Sequence, residues 1–238
     1  MLIKKWEKLP KEMQIEEVKP YYQKLRKKNF SLFWIRFFDI LFSFIMLVIL
    51  SPFFLILSLA IVIDSRGPVF YRQERVTQYG KHFHIFKFRT MKKNADQEGT
   101  LVTVGHDTRI TRVGKFIRKC RLDEVSQLID VFRGTMSFVG TRPEVPKYVE
   151  QYDKEYLATL FLPAGVTSFG AIMFKDEDAL LEGKEDVDKA YVEEVLPKKM
   201  KYNLRELNKV GVFHNIKIMF MTVFAVLGVK FKDKEEAK

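Results

Sequence analysis

The longest apolar stretch of the chain lies in its first third. From Ile40 to Ile63 the sequence carries no charged residue. A helix of about 20 apolar residues is long enough to cross the roughly 30 Å hydrocarbon core of a bilayer. On hydropathy alone, this stretch therefore predicts a transmembrane helix.

Two features of the same stretch argue against a simple crossing. Ser51 and Pro52 lie in its middle, where proline removes a backbone donor and clashes with the preceding turn. Lys and Arg occur on both sides of the stretch, and such cations mark the cytoplasmic side of a membrane. A helix-break-helix hairpin over residues 31–64, re-entrant at Ser51 and Pro52, satisfies both flanks. A straight span with a proline kink is the alternative, since membrane helices tolerate proline.

Shorter patterns predict the elements that follow. Residues 69–71 read as a short strand, Gly80 marks a turn, and residues 82–91 are rich in aromatics and read as extended. Residues 162–170 are rich in turn residues and read as a loop, and a Lys-rich helix is expected around residues 197–208. The chain therefore reads as mostly helical and α/β-like, with a short β-hairpin.

A helical period marks the middle of the chain. Apolar residues recur there at three- and four-residue steps, at Leu122, Val125, Leu128, Ile129 and Phe132. Gly134 follows as the expected stop. Asp123 and Glu124 lie in the first turn of this predicted helix, where the helix dipole favours negative charge.

The hydropathy pattern divides the chain into parts. Residues 1–30 form a basic N-terminal arm, residues 31–64 form the hairpin, and residues 65–238 form the remaining domain. The last apolar block, around residues 213–229, is marginal for a span. It is better suited to an amphipathic helix in the membrane interface.

Composition narrows the partners. The 238 residues carry a formal net charge of +11, which points to a polyanionic neighbour such as nucleic acid, an anionic lipid surface or a phosphorylated substrate. The single cysteine, Cys120, excludes an intramolecular disulfide framework. Its neighbours Arg118 and Arg121 favour a thiolate nucleophile there, but no histidine lies close in sequence to act as its base.

Two readings of Asp123 and Glu124 stand side by side. An acidic pair at a helix start is usually a solvated cap. Carboxylates with Arg118 and Arg142 nearby in sequence instead suggest a metal-bridged phosphate, because the arginine fork matches phosphate oxygens. Lys87 shares a strand face with Arg89, and this pair of cations either grips a phosphate or is solvated.

A series of short motifs runs in order along the chain: Arg36 to Ile40 (RFFDI), Leu50-Ser51-Pro52, Gly67 to Arg75 (GPVFYRQER), Phe86 to Met91 (FKFRTM), Leu122-Asp123-Glu124, Gln127-Leu128, Met136 to Gly140 (MSFVG) and Arg142-Pro143. Together they resemble the bacterial sugar transferases, also called monotopic phosphoglycosyl transferases. The resemblance runs from about Arg36 to the C-terminal apolar block.

The resemblance implies a monotopic membrane protein whose catalytic domain faces the cytosol at the bacterial inner membrane. The implied reaction transfers a sugar 1-phosphate from a nucleoside diphosphate sugar, expected to be a UDP-sugar, to polyprenyl (undecaprenyl) phosphate. It releases a nucleoside monophosphate and starts assembly of a glycan such as an exopolysaccharide, a capsule or O-antigen. A homodimer or contacts with downstream glycosyltransferases are further expectations.

The resemblance also implies roles for single residues. Asp123 would be the catalytic nucleophile that carries a phospho-sugar, and Glu124 would hold Mg²⁺. Lys87, Arg118 and Arg142 match basic positions near the bound phosphates, and Lys175 is the counterpart of a later basic residue.

The sequence departs from the family pattern in places. Ser126 and Thr141 stand where the family usually has proline, and the loop before Lys175 contains an extra alanine, Ala164. Asp188 is assigned as an acidic neighbour of the site.

A second class of function has to be weighed against the enzyme. The basic surface would also suit a non-catalytic membrane scaffold that binds anionic lipids and partner enzymes. A nucleic-acid module is disfavoured, because the aromatics concentrate in the apolar hairpin rather than on a stacking platform.

Overall fold

The computed structural model describes residues 2–93, 95, 108–174, 180–181, 183–184 and 186–231. The predicted phosphate ligand Lys175 lies outside the described residues. The helices and strands run in this order: α1 Lys19–Lys27, α2 Asn29–Asp64, β1 Phe70–Val76, β2 His82–Phe88, α3 Arg112–Lys119, α4 Leu128–Arg133, β3 Met136–Val139, α5 Pro146–Val149, β4 Ala164–Thr167, α6 Phe169–Met173, α7 Val187–Ala190, α8 Leu196–Lys209 and α9 Val212–Val226.

The long apolar stretch forms the single helix α2, with Pro52 inside it. The helix continues through Ser51 and Pro52, and the Ser51 hydroxyl donates to the carbonyl of Val48 at 2.8 Å. By length and composition, α2 is long and apolar enough to cross a membrane. The apolar helix is therefore continuous at Ser51 and Pro52, where a break was predicted. Its re-entrant course stays a prediction.

The first half of α2 is fastened to the rest of the protein by two charged side chains. The Arg36 guanidinium donates to the carbonyls of Val131 at 2.6 Å and Phe132 at 3.0 Å, near the C-terminus of α4. Asp39 is buried, and its Oδ1 accepts from the backbone N–H of Phe138 in β3 at 3.3 Å. The motif RFFDI therefore ties the apolar helix to the segment that follows the acidic pair.

The C-terminal end of α2 contacts the same body. Leu57 and Ile61 are buried against Phe88 of β2 in one hydrophobic cluster. Asp64 Oδ2 accepts from the backbone N–H of Val113 at the start of α3, at 2.9 Å. Both ends of α2 thus pack on one folded unit.

The predicted β-hairpin is confirmed. β1 and β2 pair antiparallel, with Tyr71 opposite Lys87 and Val76 opposite His82. Tyr79 and Gly80 both have positive φ in the connecting turn, which is the conformation that a tight reversal requires. This register places Lys87 near the open end of the hairpin.

A second pair of strands was not predicted. β3 and β4 pair in parallel, with Met136 opposite Ala164 and Ser137 opposite Gly165. The prediction of a loop over residues 162–170 is therefore wrong for β4. The reason is tertiary: Gly140 and Gly165 approach so closely that a Cβ on Gly165 would lie 2.1 Å from the Gly140 nitrogen. Only a residue without a side chain fits there.

The two ends of the chain behave differently. Ile3 and Leu25 of the predicted arm are buried in one cluster with Phe161 and Leu204, so the arm packs on the domain. At the other end, α9 forms within the predicted apolar block, with Phe213 88% exposed. The boundary near residue 30 and the interfacial position of α9 stay predictions.

Candidate active site

The acidic pair lies on a short 3₁₀ segment, Leu122–Gln127, which leads into α4. The predicted α-helix over this region is confirmed from Leu128 to Arg133 and ends at Gly134, which has φ 88°. Its first turns are 3₁₀ rather than α. The buried Ser126 hydroxyl contacts two carbonyl oxygens there, those of Phe86 at 3.0 Å and Asp123 at 3.2 Å.

Two side chains from distant parts of the sequence meet at Glu124. Arg142 Nη1 donates to Glu124 Oε2 at 3.1 Å, and Arg142 Nη2 donates to Oε1, so the contact is bidentate. Lys87 Nζ lies 3.5 Å from Glu124 Oε1. We call Glu124, Arg142 and Lys87 the front cluster.

Electrostatics keeps Glu124 ionised. Burial by itself would raise the pKa of Glu124, but the charges of Arg142 and Lys87 outweigh it and hold the pKa well below its usual range. Burial also lowers the pKa of Lys87, and Glu124 opposes that shift. The cluster is thus a carboxylate with two cations at partly enclosed positions.

Asp123 has the opposite environment. Burial, followed by the negative charge of Glu124, raises its pKa above the ordinary aspartate value, although Lys87 and Arg118 oppose the shift. A carboxylate that is poorly stabilised as an anion is more basic and binds an electrophile more readily. Adjacent residues in the chain therefore differ in character: Glu124 is paired and strongly acidic, whereas Asp123 is more basic.

Arg118 reaches the site from α3. The Thr111 hydroxyl caps this helix by accepting from the Gly114 N–H at 2.9 Å. Arg118 Nε donates to the hydroxyl of Thr90, just after β2, at 2.9 Å. This contact holds the α3 cation beside the strand that carries Lys87.

Two other candidate residues, Arg89 and Asp188, have described partners outside the front cluster. Arg89 is buried and donates to the carbonyl of Arg66 at 3.0 Å, so it supports the chain after α2 instead of sharing a solvated face with Lys87. Asp188 accepts from the Tyr148 hydroxyl at 2.6 Å and from Lys147 at 2.5 Å. These are its contacts within the described part of the chain.

The donor set fits a magnesium ion that is shared with a substrate. Within the described residues, no group of three His, Cys, Asp or Glu side chains could hold a metal. Mg²⁺ in phosphate sites is usually bound by one or two carboxylates plus substrate oxygens and water. The carboxylates of Asp123 and Glu124 meet that smaller requirement.

Sequence reasoning missed the residues that support the site from behind. Asp130 is buried, and its Oδ2 accepts from the backbone N–H of Phe86 at 2.8 Å, which fixes β2 and so Lys87. Arg75 Nη1 donates to the carbonyl of Pro143 at 3.1 Å, beside Arg142. One signal was available: Asp130 interrupts an apolar stripe between Ile129 and Val131.

The two residues that replace the family's prolines, Ser126 and Thr141, occupy ordered positions. Ser126 uses its hydroxyl to contact β2 and the acidic pair, as described above. The carbonyl of Thr141 accepts from the backbone N–H of Gly165 at 2.8 Å, next to the parallel strands. Backbone and hydroxyl hydrogen bonds thus order the loop at both sites without proline.

Comparisons with known proteins find several relatives of this chain. A Bacillus subtilis (strain 168) protein named for undecaprenyl-phosphate N-acetylgalactosaminyl 1-phosphate transfer is 42% identical over 120 residues, which cover 50% of this chain and 67% of that protein. The UDP-N-acetylgalactosamine-undecaprenyl-phosphate N-acetylgalactosaminephosphotransferase of Aeromonas hydrophila is 38% identical over 57% of this chain and 33% of its own length. The UDP-glucose:undecaprenyl-phosphate glucose-1-phosphate transferase of Escherichia coli (strain K12) is 33% identical over 78% of this chain and 38% of its own length.

These matches span about a third to two thirds of each relative. The model of the family described as bacterial sugar transferase matches residues 30–229, which include α2, the front cluster and α9. Because that match covers most of the sequence, the chain belongs to the bacterial sugar transferase family.

Proposed function

We propose that this protein transfers a sugar 1-phosphate from a UDP-sugar to undecaprenyl phosphate, through a covalent phospho-sugar on Asp123. The observation that carries the proposal is the front cluster beside Asp123: a more basic carboxylate next to cations arranged for phosphate. The names of the relatives supply the substrate classes, because each joins undecaprenyl phosphate to a sugar phosphate.

The reaction divides into two displacements. An Asp123 oxygen attacks the phosphorus that bears the sugar, the bond to the nucleotide oxygen breaks, and the nucleoside monophosphate leaves with that oxygen. A phosphate oxygen of the polyprenyl carrier then attacks the same phosphorus, and the Asp123 carboxylate leaves. Because the two steps are separate, the soluble and lipid substrates need not be bound together.

The cations answer the charge problem of the first step. An anionic carboxylate and a diphosphate repel each other, so their approach needs positive charge at the phosphate oxygens. Arg142 supplies a planar fork and Lys87 a point charge, and Arg118 is near enough for its charge to oppose the burial that raises the pKa of Asp123. Magnesium held by Glu124 with Asp123 would neutralise further charge on the diphosphate. Lys175 belongs to this proposal as a further phosphate ligand.

The membrane course is part of the proposal. In a straight helix, Arg36 and Asp64 would be about 42 Å apart, since an α-helix rises 1.5 Å per residue. Yet both ends contact the same folded unit, while Val48 and Ile49 in the middle are exposed. Contacts at both ends are compatible with a helix that enters and leaves the same leaflet and bends at Ser51 and Pro52. We propose this course for α2, with the catalytic domain on the cytosolic face of the bacterial inner membrane.

The substrate assignment is tested with purified protein in lipid nanodiscs. A panel of nucleotide sugars is incubated with undecaprenyl phosphate and Mg²⁺, and the released nucleoside monophosphate is measured. We expect release from at least one UDP-sugar, with a matching polyprenyl-diphosphate sugar. No release from any donor, together with intact binding to anionic vesicles, would support the scaffold function instead.

The nucleophile is tested with Asp123→Asn. The amide is not a nucleophile, so transfer should fall by about a thousandfold or more, and the phospho-sugar adduct seen by mass spectrometry should disappear. Glu17→Gln is the matched control, because Glu17 pairs with Lys154 on the surface, at 3.3 Å. Full transfer by Asp123→Asn would rule out the covalent mechanism.

The topology is tested with single cysteines. Cys120 is replaced by Ser, and an exposed residue on each side of α2 is changed, as Lys27→Cys or Glu74→Cys. In sealed vesicles, a membrane-impermeant maleimide should label both positions from the same side. Labelling from opposite sides would show that α2 crosses the bilayer.

A further inference from the structure

A second charged cluster is built around Glu144, which follows Arg142 by two residues in the sequence. Glu144 Oε1 accepts from the Tyr191 hydroxyl at 2.6 Å and from Lys199 Nζ at 3.1 Å. Lys199 Nζ also donates to the Tyr191 hydroxyl, at 2.7 Å. The side chains of Lys199 and Glu144 are only 5% and 7% exposed. We call Glu144, Tyr191 and Lys199 the rear cluster.

Stability alone does not account for the rear cluster. Taking two charges out of water costs more than their attraction usually returns, and apolar replacements of such pairs are often neutral or stabilising. Burial by itself would raise the pKa of Glu144, but Lys199 and the Tyr191 hydrogen bond outweigh it and lower the pKa. The cluster therefore keeps a buried charge in one fixed place.

That fixed place is two residues from the front cluster. Only Pro143 separates Glu144 from Arg142, and its ring restricts the backbone between them. The segment is held on its other side by β1, where Val76 N–H donates to the Glu144 carbonyl at 3.0 Å. Glu144 is thus held at both its side chain and its carbonyl, next to the backbone from which Arg142 reaches Glu124.

The partners of Glu144 come from an unusual part of the fold. Residues Tyr191–Val195 form a π-helical turn that leads into α8. Turns of this kind are rare and recur at functional sites. The wide turn lets the Tyr191 hydroxyl and the ammonium group of Lys199, which lies in α8, converge on the same carboxylate oxygen of Glu144.

We propose that Glu144, Lys199 and Tyr191 are positioning residues that fix the Arg142 guanidinium for the diphosphate of the sugar nucleotide. The inference rests on the proposed function, because the diphosphate is the ligand that Arg142 would bind. Because the side chains of Lys199 and Glu144 are almost fully buried, we assign the rear cluster an indirect role. It acts through Arg142 by holding the backbone on which Arg142 stands.

The test is a double-mutant cycle between Glu144→Gln and Arg142→Lys. Glu144→Gln keeps the shape of the side chain but removes its charge, and should lower kcat on the order of tenfold, as expected when a binding group is misplaced by a fraction of an ångström. Arg142→Lys already lacks the fork. Glu144→Gln should therefore change kcat by less than about twofold in that background.

The same four proteins are titrated with uridine monophosphate by calorimetry. This readout reports phosphate binding without turnover. Glu144→Gln should weaken the affinity when Arg142 is present and leave it nearly unchanged in the Arg142→Lys protein. Tyr191→Phe removes a single hydroxyl and repeats the cycle if Glu144→Gln does not fold.

Leu181→Ala is the matched control for simple destabilisation. Leu181 is 1% exposed and belongs to the hydrophobic cluster that contains Tyr191, but it makes no contact with the Glu144 carboxylate among the described bonds. It should lower the melting temperature and leave kcat per folded molecule unchanged. If Glu144→Gln behaves as Leu181→Ala does, the rear cluster is only structural.

The outcomes separate the two proposals. Equal effects of Glu144→Gln in both backgrounds, with an active wild type, would overturn the positioning role and leave the proposed function standing. A wild type that neither releases nor binds nucleoside monophosphate would overturn the proposed function, and this inference with it.

Discussion

The front and rear clusters are built from the same chemistry and differ in their access to solvent. In each, one glutamate is held by cationic and hydrogen-bonding partners. In the front cluster, Glu124 is 18% exposed, with Arg142 at 35% and Lys87 at 22%. In the rear cluster, Glu144 and Lys199 are 7% and 5% exposed. The two glutamates are linked through Arg142 and Pro143.

The difference in access separates two uses of a charge. Under the proposed function, the partly exposed cations Arg142 and Lys87 exchange the carboxylate oxygens of Glu124 for phosphate oxygens of the substrate. Lys199 is almost fully buried, and its ammonium group contacts Glu144 and Tyr191 of the same cluster. The same ion pair therefore suits ligand binding where solvent enters and positioning where it does not.

Among changes within the two clusters, removing the front carboxylate should have the largest effect. Glu124→Gln leaves Arg142 and Lys87 without their anion and removes one possible magnesium ligand, so kcat should fall about a hundredfold or more. If Glu124 holds Mg²⁺, the metal concentration for half-maximal activity should also rise. The measurement is nucleotide release over a magnesium titration, with the melting temperature recorded alongside.

The control for this variant is Glu16→Gln. Glu16 pairs with Lys19 at 2.7 Å on the surface of the N-terminal arm and has no described contact with either cluster. It should change neither turnover nor the magnesium requirement. A Glu124→Gln protein with an unchanged magnesium requirement but low kcat would show that Glu124 anchors Arg142 instead of binding the metal.

Changing either cation of the front cluster should lower activity by a smaller factor than removing Glu124. Arg142→Lys keeps the charge and loses the bidentate fork, so kcat/KM should fall by about ten- to a hundredfold. Lys87→Met removes a point charge 3.5 Å from Glu124 and should cost a similar factor. Steady-state kinetics with varied sugar nucleotide measures both.

The pair of variants also tests the front cluster as a phosphate site. A rise in KM without a fall in kcat would mean that these cations bind ground state and transition state equally. Wild-type kinetics in both variants would contradict the front cluster as the diphosphate site.

The sequence predicted the parts of this site that lie close together along the chain or in recognisable motifs. Asp123 and Glu124, their helix and its stop at Gly134 follow from a local period. The β-hairpin that carries Lys87 follows from turn residues. Their convergence with Arg142 was an expectation of the family resemblance, and the structure brings these side chains together.

What the sequence did not predict depends on contacts across long separations. Lys199 reads as one cation in a Lys-rich helix, and its pairing with Glu144 spans 55 residues. The one signal was that Lys199 falls on the buried stripe of α8 with Leu196 and Asn203. The parallel strands escaped prediction for a similar reason, because β4 is a short strand that follows Pro163, contains Gly165 and pairs with a strand that lies far from it in the sequence.

The smallest expected effect is on the pH dependence of the free energy of unfolding, where Glu144 of the rear cluster should differ from Asp123 beside the front cluster. The folded-state pKa of Glu144 is lowered, so the unfolded chain takes up the proton first as the pH falls. Its contribution to the free energy of unfolding is complete above the unfolded glutamate pKa of about 4.3 and is lost as the pH falls through the folded-state pKa. Asp123 has a raised pKa and the opposite sign, because its charge destabilises the fold at neutral pH. Melting temperatures measured from about pH 5 down to about pH 2 should therefore fall less steeply for Glu144→Gln than for the wild type, whereas Asp123→Asn should melt slightly higher at pH 7. If the melting temperature of Glu144→Gln falls with pH as steeply as that of the wild type, solvent reaches the rear cluster and screens its charges as it does those of the front cluster.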